Sequence, residues 1–225
     1  MPILRRCALG LCLCIPVWTN AQTYFAGFNL GTGRFLEPAY AKTYFNPSSA
    51  FGLNLLMRLT ERTMCSFDFC FYRFGIDKKK YLAAPLNIAG EPVSVTGDLN
   101  VDVISLGLAA FPVSIESPIS ACALAGMGYY KLNPRNNYLV SRITHPGENA
   151  TSDTTVLVDL GDTRNRPAVY VGAAFNLRFT EKMVLYVEGR YHWIFARDQK
   201  DPATGEKVTD PMRFWAPSAG FRLAL

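Results

Sequence analysis

The sequence predicts an all-β fold, a closed eight-stranded antiparallel up-and-down transmembrane β-barrel. Three observations carry the prediction. Apolar residues recur at every second position through eight stretches of about ten to fourteen residues, the period of a strand with one apolar face. The connections between those stretches alternate long and short. Lysine falls only in connections and at strand ends. Strands of soluble domains average about five or six residues, whereas a tilted strand crossing a bilayer needs about nine to eleven.

Residues 1–21 read as a signal peptide and 22–225 as the outer-membrane barrel domain. Arg5 and Arg6 precede a short apolar run over 7–17, and Thr19-Asn20-Ala21 supplies the small residues of a cleavage site expected after Ala21. No later stretch approaches the ~20 consecutive apolar residues of a membrane helix, and the mean hydropathy is only +0.08. Loss of 1–21 takes Arg5 and Arg6 and lowers the formal charge from +5 to +3, too small an excess for a nucleic-acid partner. Cys7, Cys12 and Cys14 leave as well. Cys65, Cys70 and Cys122 remain, an odd set without metal-ligand spacing that reads as small packing residues.

The strands follow in order. In the first, Tyr24, Ala26, Phe28 and Leu30 alternate with Phe25, Gly27, Asn29 and Gly31. In the second, Phe51, Leu53, Leu55, Met57 and Leu59 oppose Gly52, Asn54, Leu56 and Arg58. The third sets Phe67, Phe69 and Phe71 against Ser66, Asp68, Cys70 and Tyr72. The fourth, over 99–111, is apolar on both parities after Asn100 and Asp102, a pattern that allows a bulge near Ile104. The fifth, over 119–130, places Gly126 and Gly128 opposite Ala125, Met127 and Tyr129. The sixth alternates from Val169 to Phe179 and the seventh from Leu185 to Phe195; the eighth sets Trp215, Ala219, Phe221, Leu223 and Leu225 against Ser218, Gly220 and Arg222.

Connections at about 32–49, 75–97, 131–167 and 197–211 are long, and those at 60–63, 112–118 and 180–182 are short. Short periplasmic turns and long extracellular loops are the habit of outer-membrane barrels. The less apolar parity collects glycine, asparagine and charge, a poor solvated surface but suitable filling for a small barrel, whose interior has room only for side chains. Arg58, Asp68, Arg178, Glu188, Arg190 and Arg222 lie on it and are expected to form one structural lumen charge network, since buried ions need partners. An ion or proton pathway is the functional alternative. Phe111, Phe179, Trp193, Phe195, Trp215 and Phe221, near strand ends, are expected to form aromatic girdles at the two interfaces.

Glu188-Gly189-Arg190-Tyr191 and the C-terminal Ala219-Gly220-Phe221-Arg222-Leu223 resemble motifs of the Bacteroidota outer-membrane β-barrel family, the PorT-like porin family. The stretch Ala123-Leu124-Ala125-Gly126-Met127-Gly128-Tyr129-Tyr130 is similar to that family's Gly-aromatic pattern. Asp102-Val103-Ile104-Ser105 departs from it by lacking a proline step, and the chain ends in Leu225 where Phe is common. The resemblance implies a bacterial outer-membrane location and no agreed activity.

Enzymatic chemistry finds little footing. Of the two histidines, His145 lies in the longest loop, and His192 is on the inward parity with no serine two residues on. No catalytic or cofactor-binding residue, metal site or cofactor is assigned, and the chain is read as no enzyme. The expected role is structural or surface-binding, with a side-chain-filled lumen and long extracellular loops that can meet a protein partner. A narrow pore or secretion-machine accessory and a lipid A-modifying enzyme are the alternatives. The expected surroundings are outer-membrane lipid and lipopolysaccharide, the latter within reach of Lys78, Lys79 and Lys80.

Overall fold

The computed structural model describes residues 24–84, 90–144, 151–157, 163–195, 199–200, 207–208 and 211–225. The proposed signal peptide and His145 lie outside the described residues. The elements are β1 (Tyr24–Glu37), α1 (Ala39–Tyr44), β2 (Ser48–Thr60), β3 (Thr63–Gly75), α2 (Lys78–Leu82), β4 (Glu91–Ala110), β5 (Ile119–Thr144), β6 (Thr151–Leu157), β7 (Arg164–Arg178), β8 (Met183–Ile194), the pair β9 (Gln199–Lys200) and β10 (Lys207–Val208), and β11 (Met212–Ala224).

Eight strands close on themselves. Each of β1, β2, β3, β4, β5, β7, β8 and β11 pairs antiparallel with its neighbour in that order, and β11 returns to β1. The short connections gather at one end. Between β2 and β3 only Glu61 and Arg62 intervene, with the Thr60 hydroxyl accepting from the Arg62 amide. The last residue meets the start of β1 there, through Leu225 N–H to Tyr24 O at 2.9 Å. The β4–β5 connection folds inward, held by Phe111 N–H to Arg62 O and Ile115 N–H to Glu61 O.

The two faces of the wall differ as the alternation predicts. Leu30, Phe51, Leu53, Phe69, Ile104, Leu106, Met127, Val171, Phe175 and Val187 are exposed, while Asn29, Asn54, Asp68, Asn176, Glu188 and Arg222 are buried. An apolar exterior around a polar interior is stable only where the surroundings are hydrocarbon.

Nearer the long-loop end this polarity inverts. On β4 the outward row passes from Leu108, Leu106 and Ile104 to Asp102, Asn100 and Asp98, while the inward row becomes Val103, Val101, Leu99 and Val95. On β3 the outward row ends at Arg73 and the inward row at Phe74. Lys131, inside β5 and opposite Asp102, stands on this outer polar level. The inversion marks where the wall leaves lipid: past it, water covers the outside and the core takes the apolar residues.

Two expectations are corrected here. No bulge occurs near Ile104; the β3–β4 register is continuous through Thr63–Gly75, and the shifts on β4 fall at Pro92/Ser94 and Thr96/Asp98. The fourth strand is apolar on both parities because Leu106 and Leu108 face lipid while Val101, Val103 and Ala109 pack inside. The long connections are also more ordered than expected. Strand β4 starts at Glu91 and β5 runs to Thr144, 20 and 26 residues long, and β6 pairs with the far part of β5. α1 and α2 meet through Tyr44 and Tyr81 and lie over the outer mouth, with Ala41 and Tyr81 buried.

Candidate functional site

The lumen is the region where charge and chemistry are concentrated. Strand alternation drives it: every inward side chain points at the axis of a barrel narrow enough for opposite walls to touch. From the periplasmic end the filling runs in layers. Phe25, Leu56, Met64, Phe111, Ile115 and Val184 form an apolar floor. An ionic layer lies above it. Phe35, Phe74, Val101, Leu132, Phe214 and their neighbours form an apolar roof.

The ionic layer joins four of the expected residues. Arg190 Nη2 lies 3.2 Å from Asp68 Oδ1 and donates to Glu188 Oε2 at 3.2 Å. Its Nε stands 3.0 Å from Glu188 Oε1, an ion-pair contact whose alignment makes no hydrogen bond. Arg222 Nη2 approaches Glu188 Oε2 at 3.6 Å, and Arg222 Nη1 donates to Asn176 Oδ1 at 2.9 Å. Two acids and two bases therefore balance inside the wall. The neutral groups complete the shell. Ser66 and Tyr170 hydroxyls donate to Asp68 Oδ2, Ser218 donates to Glu188, and the Arg222 guanidinium lies 3.7 Å from the Tyr186 ring centroid. The Tyr186 hydroxyl accepts from Asn29 and Asn54.

Glycine makes the crossing possible. A Cβ at Gly126 would stand 2.5 Å from Tyr170 Cε1, so the Tyr170 ring occupies the space that a side chain would fill. On the outer wall the Trp215 indole lies in the corresponding space over Gly189.

Arg58 and Arg178 do not join this network, which corrects the expectation of a single one. Both point inward, but at the periplasmic mouth below the floor. Arg58 pairs with Glu116 at 2.6 Å, and Arg178 donates to the carbonyls of Glu181 and Ile115. With Phe25 and Ile115 these residues line a vestibule of about 370 Å³. The Arg58 guanidinium holds the Glu116 carboxyl below the usual carboxylate range. Parity tells which way a side chain points but not the height at which it meets a partner.

The girdle residues also divide. Trp193, Phe195 and Trp215 are exposed at the outer rim, where the Arg213 guanidinium stacks 4.5 Å from the Trp193 ring centroid and pairs with Glu37. Phe179 is exposed at the periplasmic turn. Phe221 faces outward, edge-on to Phe28 at 4.5 Å. Phe111 is corrected: it is buried in the floor, because the β4–β5 connection turns into the lumen.

His192 sits between the ionic layer and the roof, 1% exposed. Its Nδ1 is 2.6 Å from the Tyr130 hydroxyl and its Nε2 3.4 Å from that of Tyr72. Its ring stacks on Phe214 at 4.4 Å and 10°. Sequence reasoning does not single out Tyr72, Tyr130 or Phe214; their inward parity is the available signal. Among the described residues no group of His, Cys, Asp or Glu is placed to hold a metal ion, and Cys65, Cys70 and Cys122 are free thiols.

No family model matches the chain, and no curated protein matches it. Solved structures do. Neisserial surface protein A aligns at 12% identity over 90% of this chain and 96% of its own, with a TM-score of 0.51. A major outer membrane protein from Thermus thermophilus aligns at 12% identity over 92% of this chain and 100% of its own, with a TM-score of 0.50. At such identity the likeness speaks to fold. Together with the apolar belt and the closed wall, it makes this chain a small barrel of the bacterial outer membrane.

Proposed function

We propose that this outer-membrane barrel is a structural, surface-binding protein that passes nothing through its lumen and meets its partner outside the cell. One observation carries the reading: floor, ionic layer and roof fill the lumen, while β4, β5 and β6 continue beyond the lipid-facing belt as a three-stranded extension. The cavity between floor and Arg222 measures about 20 Å³, room for roughly one water.

The role is non-catalytic in this reading. His192 is enclosed by two tyrosines and a phenylalanine, an arrangement that holds a ring and offers a substrate no approach. In this reading the chain is one of the PorT-like Bacteroidota barrels, on the resemblance of its strand motifs Glu188-Gly189-Arg190-Tyr191 and Ala219-Gly220-Phe221-Arg222-Leu223. At the outer end Asp77 accepts from the Lys80 amide and pairs with its ammonium at 3.1 Å, so Lys78 and Lys79 supply the excess charge that draws lipopolysaccharide phosphates.

The test is genetic. A strain lacking the gene is complemented with the full chain or with a chain whose residues 138–157 are replaced by a short turn. Adhesion and envelope integrity are expected to fall on deletion and to return only with the full chain. Unchanged adhesion and integrity on deletion would end the reading.

A further inference from the structure

Where β1, β11 and β8 leave lipid, the outer face of the wall carries arginine over tryptophan. The outward row of β1 passes from Leu30 through Thr32 to Arg34, and that of β11 from Ala219 through Pro217 to Trp215 and Arg213. Arg34 stands opposite Trp215 in the ladder, and Arg213 opposite Trp193. The register shift between Phe35 and Glu37 sets Glu37 beside Arg213, and the two pair at 3.0 Å. Arg213 is thus held from two sides, by that carboxylate and by the Trp193 ring 4.5 Å away. Arg34 is exposed and its guanidinium meets no acid among the described residues, so the cluster keeps one positive charge in excess. Trp215 and Trp193 are 43% and 38% exposed, and the Trp215 ring rests on Gly189. Further down β11, about 13 Å along the strand from Trp215, an apolar groove of about 370 Å³ opens on the lipid face between Phe175, Leu185, Val187 and Ala219.

We infer that this rim binds the phosphorylated sugar headgroup of lipopolysaccharide in the outer leaflet, with Arg34 on the phosphate and an acyl chain in the groove below. A guanidinium presents a planar fork of donors that matches phosphate oxygens. Indoles at the headgroup level offer the sugar a flat apolar face with a polar edge. Charge selects the occupant: an anion neutralises the excess at Arg34, and a headgroup without net charge gains nothing from it. Height selects the source. The cluster begins where the apolar rows end, and the groove lies within one leaflet's depth of it, so the ligand that fills both carries its phosphate at the membrane surface and its chains in the hydrocarbon. The inference rests on the reading that lipopolysaccharide phosphates are drawn to the outer end, and names the site that holds one.

The experiment uses the full chain refolded in detergent micelles and diphosphorylated lipid A as the probe, with the lipid retained per barrel counted by native mass spectrometry across a titration. The chain is expected to saturate with a single lipid A. Arg34→Gln, checked for folding by heat modifiability, is expected to weaken retention about tenfold, and Arg34→Lys to recover part of the loss. Lys131→Gln, at the same outer level on β5 across the barrel, is expected to leave retention unchanged. Dephosphorylated lipid A is expected to bind the unaltered chain as weakly as lipid A binds Arg34→Gln, and phosphatidylglycerol at equal concentration is expected not to displace lipid A. Equal retention by Arg34→Gln, equal loss in Lys131→Gln, or undiminished binding of dephosphorylated lipid A overturns the site. Displacement by phosphatidylglycerol overturns the choice of lipopolysaccharide in favour of any anionic headgroup. These measurements leave residues 138–157 intact, so the genetic test above stands or falls separately.

Discussion

Arg190 lies between two carboxylates in a space that is almost wholly removed from solvent. Removing one member of such a set leaves an uncompensated charge, whereas removing an opposite pair leaves a balanced remainder. Asp68→Asn is therefore expected to cost about 3–5 kcal/mol. Asp68→Leu combined with Arg190→Met, which retains the Glu188–Arg222 pair, is expected to cost less than that single change. Urea titration of the barrel refolded into lipid vesicles measures both; a double variant weaker than Asp68→Asn would contradict the balance of charges. Glu116, by contrast, is a periplasmic group in water. Its carboxyl is held low by Arg58, so the ion pair is complete above the ordinary glutamate range and is lost as pH falls through the lowered folded value. NMR titration of the Glu116 carboxyl is expected to give a midpoint below the ordinary value, returning to it in Arg58→Gln.

At the scale of elements, the wall changes solvent partway up each strand, and the change is testable on a single strand. Ile104 faces lipid, and Asn100, four residues away on the same face of β4, stands on the outer polar level. Ile104→Lys is expected to cost about 2–4 kcal/mol and Asn100→Lys close to nothing, read by the same urea titration. Equal costs would place the lipid boundary elsewhere. This inversion also explains what can be read from sequence. Where a strand lies in lipid, its alternation is clean, as in Phe67, Phe69 and Phe71 against Ser66, Asp68 and Cys70, and eight such runs are legible. Past the boundary the inward row of β4 is Leu99, Val101 and Val95 beneath outward Asn100 and Asp102, and β5 passes through Asn133, Pro134 and Arg135. Such stretches look like loop until their partner strand is known. Phe111 and Arg58 escape sequence reasoning for a related reason. A large aromatic near a strand end serves a girdle or a floor equally well, and the fold of the β4–β5 connection, set by Arg62 and Glu61 carbonyls, decides which.

For the molecule as a whole, the question is what keeps the lumen shut. Three layers lie in series, and each is complete in itself: the floor excludes water by apolar packing, the ionic layer spans the barrel by paired charges, and the roof buries Phe35, Phe74 and Phe214 against one another. A series arrangement conducts only when every layer is breached. Planar-bilayer recording of the intact chain is expected to show no unitary steps. Phe111→Ala with Ile115→Ala, which opens the floor, is expected to stay silent because Arg190, Asp68 and Glu188 still bridge the lumen above it. Steps in this floor variant, with heat modifiability retained, would mean that the ionic layer rearranges and that the floor alone is the gate. The barrel would then be a closed pore and no longer a filled scaffold. Silence in the floor variant, and in a second variant carrying Phe35→Ala and Phe214→Ala in the roof, is the outcome that three independent layers require.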